Sequence, residues 1–187
     1  MSTSAAQPSL DSTIKNLLTA FNGESNAHVR YAAFARKADE EGYHQAASLF
    51  RAASRAEQIH ATSHAAVIRK LGGSPDATIE VPEVKSTREN LQTALAGEEY
   101  ERDVMYPQFI REAEAQQQTA ALRTFRNALA AEAEHARLYT AAIANLQNLR
   151  VKASYYVCPV CGYTADQLTF ERCPVCNVPG EKFEAIS

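Results

Sequence analysis

Ala56-Glu57-Gln58-Ile59-His60 and Ala131-Glu132-Ala133-Glu134-His135 each carry Glu-x-x-His. On a helix, residues three apart share a face, so each stretch aims a carboxylate and an imidazole in one direction. A Gly-Glu pair precedes each copy, Gly23-Glu24 before the first and Gly97-Glu98 before the second. The offsets agree: Glu24 to Glu98 spans 74 positions and Glu57 to Glu132 spans 75. This spacing predicts a duplicated helical hairpin. Each copy gives one Glu from its first helix and Glu-x-x-His from its second.

Working outward, apolar residues at helical spacing (Ile14, Leu17, Leu18, Phe21, Val29, Phe34, Ala38) predict a first helix from Leu10 to about Glu40, stopped by Gly42. A second runs from about His44 to Leu71 and ends at Gly72-Gly73. Ser74 to Lys85, with Pro75 and Pro82, reads as a crossover. Ser86 and Glu89 form a capping-box pattern that opens a third helix, reaching about Glu114, with Pro107 expected to kink it or free a carbonyl. A tight turn at Gln116 to Thr119 leads into a fourth helix, ending near Leu149. Two hairpins joined by one long crossover give a mainly α, ferritin-like four-helix bundle. Four helices contributing Glu, Glu-x-x-His, Glu and Glu-x-x-His match the arrangement of di-iron and di-manganese carboxylate bundles.

Composition agrees. At 187 residues the chain holds one ordinary domain and a small one, and 45% hydrophobic content with only seven Gly and seven Pro suits a packed helical protein. A net charge of −3 gives no basic footprint for nucleic acid. No apolar run approaches the roughly 18 residues of a membrane span. Residues 1–9 read as a mobile tail without the basic start and apolar middle of a signal peptide, so the expected location is cytoplasmic. There thiols stay reduced, and four cysteines point to a metal before disulfides. The expected units are a tail over 1–9, the bundle over 10–150 and a small metal-knuckle domain over 154–187.

Glu101 lies three residues after Glu98, whereas the corresponding place after Glu24 is Ala27. The site is therefore asymmetric, with Glu24, Glu57, Glu98, Glu101, Glu132, His60 and His135 as candidate ligands. Carboxylates and imidazoles suit iron and manganese. Five inward glutamates without metal would carry a desolvation cost of several kcal/mol each, which two divalent ions relieve. Tyr31 and Tyr106 follow Glu24 and Glu98 by about two turns and are placed to hydrogen-bond metal-bound carboxylates. Core tyrosines with satisfied hydroxyls give the same spacing. His28 and His64 read as packing or supporting residues, and His44 as exposed.

Cys158-Pro159-Val160-Cys161-Gly162 and Cys173-Pro174-Val175-Cys176-Asn177 form two knuckles. Each needs positive φ just past its second cysteine so that backbone N–H groups point at sulfur, which suits Gly162 and Asn177. Four thiolates fit either zinc or one iron. On spacing alone a zinc ribbon is at least as good a reading. A redox-capable dimetal site on the same chain favours iron, because zinc has no redox chemistry.

Together these motifs, with Met105-Tyr106-Pro107, resemble the rubrerythrin family over nearly the whole chain. The resemblance implies a non-haem di-iron centre in the bundle and a rubredoxin-type iron held by Cys158, Cys161, Cys173 and Cys176. It implies reduction of hydrogen peroxide to water, with electrons from NAD(P)H through a separate reductase or a rubredoxin. The carry-over makes the seven Glu and His residues di-iron ligands, Glu57 and Glu132 bridging, and Glu101 and His60 a pair that exchanges at one iron with oxidation state. The sequence departs from the family pattern in a short inter-knuckle stretch and in having no Trp.

His135 lies about 14 residues before the expected end of the last helix, roughly 20 Å at 1.5 Å per residue. If the cysteine centre hangs beyond that end, a head-to-tail homodimer would bring one chain's cysteine iron to the other's di-iron site, with helix exchange as a domain-swapped variant. Two further readings use the same residues. One is a ferroxidase or iron-storage protein, against which the cysteine segment and Glu101 count. The other is a zinc-ribbon interaction module on a helical scaffold.

Overall fold

The computed structural model describes residues 10–187, and the tail expected over 1–9 lies outside them. Helices α1 (Leu10–Glu40) and α2 (His44–Lys70) form the first hairpin, and α3 (Thr87–Tyr100), α4 (Tyr106–Ala115) and α5 (Thr119–Ala144) complete the bundle. Gly42, at φ +76°, turns the chain between α1 and α2, where the Tyr43 N–H donates to the Ala38 carbonyl at 2.8 Å. The 71–86 crossover runs along α1, fixed by Asn22 and Asn26 side chains bonded to the backbone of Thr78 and Glu80. The capping box forms: Ser86 accepts from the Glu89 N–H, and the Glu89 carboxylate accepts from the Ser86 N–H at 3.2 Å.

The third helix of the sequence reading is interrupted. Glu101–Met105 forms one π turn between α3 and α4. Pro107 has no N–H for the carbonyl four residues back, and its ring crowds that carbonyl. The wider turn takes up the mismatch, and Pro107 falls in the first turn of α4, where a missing donor costs nothing.

Two aromatic clusters fill the bundle. Tyr31, Phe34, Phe50 and Tyr139 pack at centroid distances of 5.4–6.3 Å. Tyr106, Phe109 and Phe125 form the second, with Leu17 and Ile68. The candidate carboxylates lie between them, since Tyr31 bonds Glu98 and Tyr106 bonds Glu24.

The last helix ends at Ala144, earlier than expected. A 3₁₀ turn over Leu146–Asn148 and the buried Leu146 and Leu149 bend the chain back onto the bundle. Strands β1 (Tyr155–Val157), β2 (Thr164–Ala165) and β3 (Glu184–Ile186) make an antiparallel sheet in the order β2-β1-β3. Tyr155 and Val157 join the first core cluster. Arg55 clamps Glu184 through two hydrogen bonds of 2.7 and 2.9 Å, and Arg51 donates to the Ser187 carbonyl at 2.7 Å. The tail therefore lies against α2 of its own chain instead of extending past the helix end.

Candidate metal centres

Glu24 comes from α1, Glu57 and His60 from α2, Glu98 from α3, and Glu132 and His135 from α5, and all six are buried. His60 Nδ1 lies 2.9 Å from Glu57 and 3.2 Å from Glu132, with Glu24 at 3.9 Å. His135 Nδ1 lies 3.0 Å from Glu132, 3.3 Å from Glu98 and 3.4 Å from Glu57. Two four-residue groups result, Glu24-Glu57-His60-Glu132 and Glu57-Glu98-Glu132-His135, with donor atoms within 4.8 Å of one another in each. Glu57 and Glu132 belong to both. Glu101, the remaining expected carboxylate, joins neither group. It is half-buried at the start of the π turn, beside Gly23.

The electrostatics follow from five carboxylates sharing one buried space. Burial, then the charges of Glu101, Glu57 and Glu132, push the Glu24 carboxyl well up. Burial lifts Glu98 to about 7 despite the pull of His135. Burial would raise Glu57 too, but the His135 and His60 imidazoles beside it outweigh that and hold the group below the ordinary carboxylate range. Burial disfavours charge on His60, yet the Glu132 and Glu57 carboxylates lift it to about 10, and Glu98, Glu132 and Glu57 likewise raise His135. The buried carboxylates thus call for compensating positive charge. Among the described residues, Glu24 Oε2, Glu57 Oε1 and both Glu132 oxygens are buried with no hydrogen-bond partner. Orphaned anionic oxygens cost several kcal/mol unless paired or metal-bound. An oxygen-rich set with one imidazole per group suits two iron or manganese ions.

Around the carboxylates, the Tyr31 hydroxyl donates to Glu98 at 2.7 Å and the Tyr106 hydroxyl donates to Glu24. Because that proton is committed, Tyr106 accepts from His64 Nε2 at 3.1 Å, and His64 Nδ1 accepts from the Thr124 hydroxyl at 3.1 Å. Burial, then the charge on His60, press His64 down to about 3, so it is neutral. His28 turns to Ser54, and His44 pairs with Asp39 at 2.9 Å. None of these three histidines enters a ligand group among the described residues. Tyr139, one turn after His135, buries its hydroxyl without a partner among the described residues, and no sequence motif marks it.

The second centre follows from local backbone rules. Gly162 and Asn177 take φ of +78° and +63°, as the knuckle pattern requires. Their N–H groups bond the carbonyls of Cys158 and Cys173, each at 3.0 Å. The four sulfurs form one group, with Cys158–Cys176 and Cys161–Cys173 both at 3.5 Å. A metal–sulfur bond of about 2.3 Å gives a tetrahedral sulfur–sulfur edge of about 3.8 Å, so the knuckles need little adjustment to close on an ion.

The two centres touch. The His60 Nε2–H donates to the Cys161 carbonyl at 3.0 Å, and His135 Nε2 meets the Thr164 hydroxyl at 3.0 Å. The expected separation of roughly 20 Å along the helix axis therefore does not occur. That expectation assumed a tail continuing outward, whereas residues 145–154 turn back. Within this one chain the two centres already lie side by side.

The family model for rubrerythrin matches residues 15–143. The chain belongs to the rubrerythrin family. The model for the rubrerythrin rubredoxin-like domain matches residues 156–184. The chain is 37% identical to nigerythrin of Nitratidesulfovibrio vulgaris, covering 96% of this chain and 89% of that protein. It is 36% identical to rubrerythrin-2 of Clostridium acetobutylicum, covering 93% and 100%. The solved structure of fully reduced, all-ferrous nigerythrin superposes with a TM-score of 0.87 at 34% identity, over 99% of this chain and all of that one. Mycobacterium tuberculosis bacterioferritin shares the fold, with a TM-score of 0.68 at 23% identity over 76% of this chain and 89% of that one. As a rubrerythrin-family protein, the chain combines a ferritin-like di-iron site of Glu and His groups with a four-cysteine, rubredoxin-like knuckle. The family consists generally of oxidoreductases with peroxidase activity. No helix among the described residues is long and apolar enough to cross a membrane.

Proposed function

We propose that this chain reduces hydrogen peroxide to water at the bundle site, drawing electrons through the cysteine-bound iron from an external reductase or rubredoxin. The observation that carries the reading is the 3.0 Å contact between His60 of the carboxylate site and Cys161 of the cysteine site. A ferroxidase alone has no use for a thiolate iron bonded to its ligand shell.

The residues present fit two metal ions. Glu24, Glu57, His60, Glu98, Glu132 and His135 would hold them, Glu57 and Glu132 bridging, because those two alone face both histidines. Bound irons supply the two electrons that split the O–O bond, and with two protons one peroxide gives two waters. Glu101, which stands outside both groups, would be the incoming ligand, since a rise in metal charge would favour its carboxylate over the His60 imidazole. Tyr31 and Tyr106 hold Glu98 and Glu24 in place by their hydrogen bonds. The chain Glu24–Tyr106–His64–Thr124 reaches a cleft of about 830 Å³ that Thr124 lines, a route by which protons enter. Electrons entering at Cys158, Cys161, Cys173 and Cys176 need only cross the Cys161 carbonyl and the His60 ring. The bundle over 10–150 and the knuckle unit over 154–187 thus act as one device.

The test is an anaerobic titration. The iron-loaded, fully reduced protein receives measured hydrogen peroxide while bound iron is counted and residual peroxide assayed. The expected result is two electrons consumed per peroxide, with Glu57→Gln protein consuming none. Peroxide left intact by reduced wild-type protein, or iron mineral accumulating inside oxidised cages, would overturn the proposal.

A further inference from the structure

We infer that Thr164 is a positioning residue of the di-iron site, supplied by the knuckle domain, which fixes His135 in the tautomer that presents Nδ1 to the metal. The inference rests on the reading of His135 as a ligand and adds a residue to that site.

Thr164 is fully buried on β2, one position from the Gly162–Tyr163 end of the first knuckle, and its backbone registers against Val157 on β1. Its hydroxyl has one proton. That proton goes to the Gly162 carbonyl at 3.1 Å. What the hydroxyl offers His135 at 3.0 Å is therefore a lone pair. An acceptor there requires a hydrogen on Nε2. A neutral imidazole with Nε2–H has its free pair on Nδ1, the atom that lies 3.0 to 3.4 Å from Glu132, Glu98 and Glu57. The arrangement parallels His60, whose Nε2 also donates out of the bundle, to the Cys161 carbonyl. The difference is that a backbone carbonyl survives substitution and a threonine hydroxyl does not, so the His135 side of the site has a sequence-encoded support. Partners in this outer position orient the ligand and raise its basicity.

Thr164→Val removes the hydroxyl and keeps the shape, while Thr164→Ser keeps the hydroxyl. Protein whose cysteine site already holds iron is titrated anaerobically with Fe(II) against a competing chelator. The expected result is that Thr164→Val binds Fe(II) in the bundle about 10–100-fold more weakly and Thr164→Ser stays within threefold of wild type. In zinc-loaded protein, ¹⁵N imidazole resonances of His135 should show Nε2–H alone in wild type and Thr164→Ser, and a tautomer mixture in Thr164→Val. Equal Fe(II) affinity of Thr164→Val and wild type would overturn the inference. So would Thr164→Ser binding as weakly as Thr164→Val, since the methyl group would then be the operative part. Wild-type protein taking no Fe(II) into the bundle would instead overturn the reading of the site, and this inference with it.

Discussion

Replacing Gly162 by alanine should separate the two centres. An added Cβ would stand 2.2 Å from His60 Nε2, 2.8 Å from Cδ2 and 3.1 Å from Cε1. A carbon–nitrogen contact needs about 3.4 Å, close to the optimal separation of non-bonded heavy atoms, so about 1.2 Å must be found. His60 cannot yield it, being buried with Nδ1 held by Glu57 and Glu132. The knuckle must retreat, which stretches the 3.0 Å bond from His60 to Cys161 beyond hydrogen-bond range. Loss of that bond costs about 0.5–1.5 kcal/mol. Holding a residue with a Cβ at φ +78° adds about 1–2 kcal/mol. For a chain of this length the sum of about 1.5–3.5 kcal/mol lowers Tm by about 3–14 °C. Electron passage from cysteine iron to di-iron should slow at least tenfold while both centres keep their iron, measured as reoxidation of the thiolate-iron absorption after peroxide. Gly162→Asn isolates the cause. Asparagine accepts positive φ, as Asn177 does at +63°, but still carries the Cβ. It should slow transfer as alanine does. Wild-type melting and wild-type reoxidation in both variants would refute the reasoning.

Stripping the metals should make stability fall as pH rises from about 5 to 8. Carboxyls such as Glu98, raised to about 7, and histidines such as His60, raised to about 10, bind more protons folded than unfolded over that window, so the folded state loses its advantage as they are released. Thermal melts of chelator-treated protein should show that slope, and iron-loaded protein a flatter one. Glu101→Ala should leave melting and six-residue iron binding near wild type while slowing peroxide turnover, and unchanged peroxide kinetics would remove its exchange role. The Arg55 side chain holds Glu184 below the ordinary carboxylate range, so the clamp contributes at neutral pH and is lost as pH falls through the folded-state value. Limited proteolysis near residues 150–154 should accelerate in acid for wild type, and already at pH 7 for Glu184→Gln.

The sequence made the bundle legible because helical period, caps and glycine stops are local signals. Glu24, Glu57, His60, Glu98, Glu132 and His135 meet because residues three apart on a helix share a face and the hairpin repeats. The knuckles were legible for a similar reason, since positive φ after the second cysteine is a property of one residue. What escaped depends on docking between distant segments. The return of the tail after Ala144 turns on Leu146, Leu149, Tyr155 and Val157 finding the bundle surface, and no spacing rule reports that. No motif marks Thr164, whose place in the site depends on its hydroxyl meeting His135. Gly162 was read as a residue tolerant of φ, whereas it also has to leave room for His60. Pro107 announced a disturbance, but not that a π turn would absorb it and begin at Glu101.

Anaerobic stopped-flow on fully reduced protein, with iron in all sites, tests the coupling of the two centres most directly. After peroxide is added, the thiolate-iron absorption should return in a first-order phase whose rate constant does not change on tenfold dilution of the protein. Contradiction would be a cysteine centre that stays reduced while peroxide disappears, or a rate that falls in proportion to protein concentration.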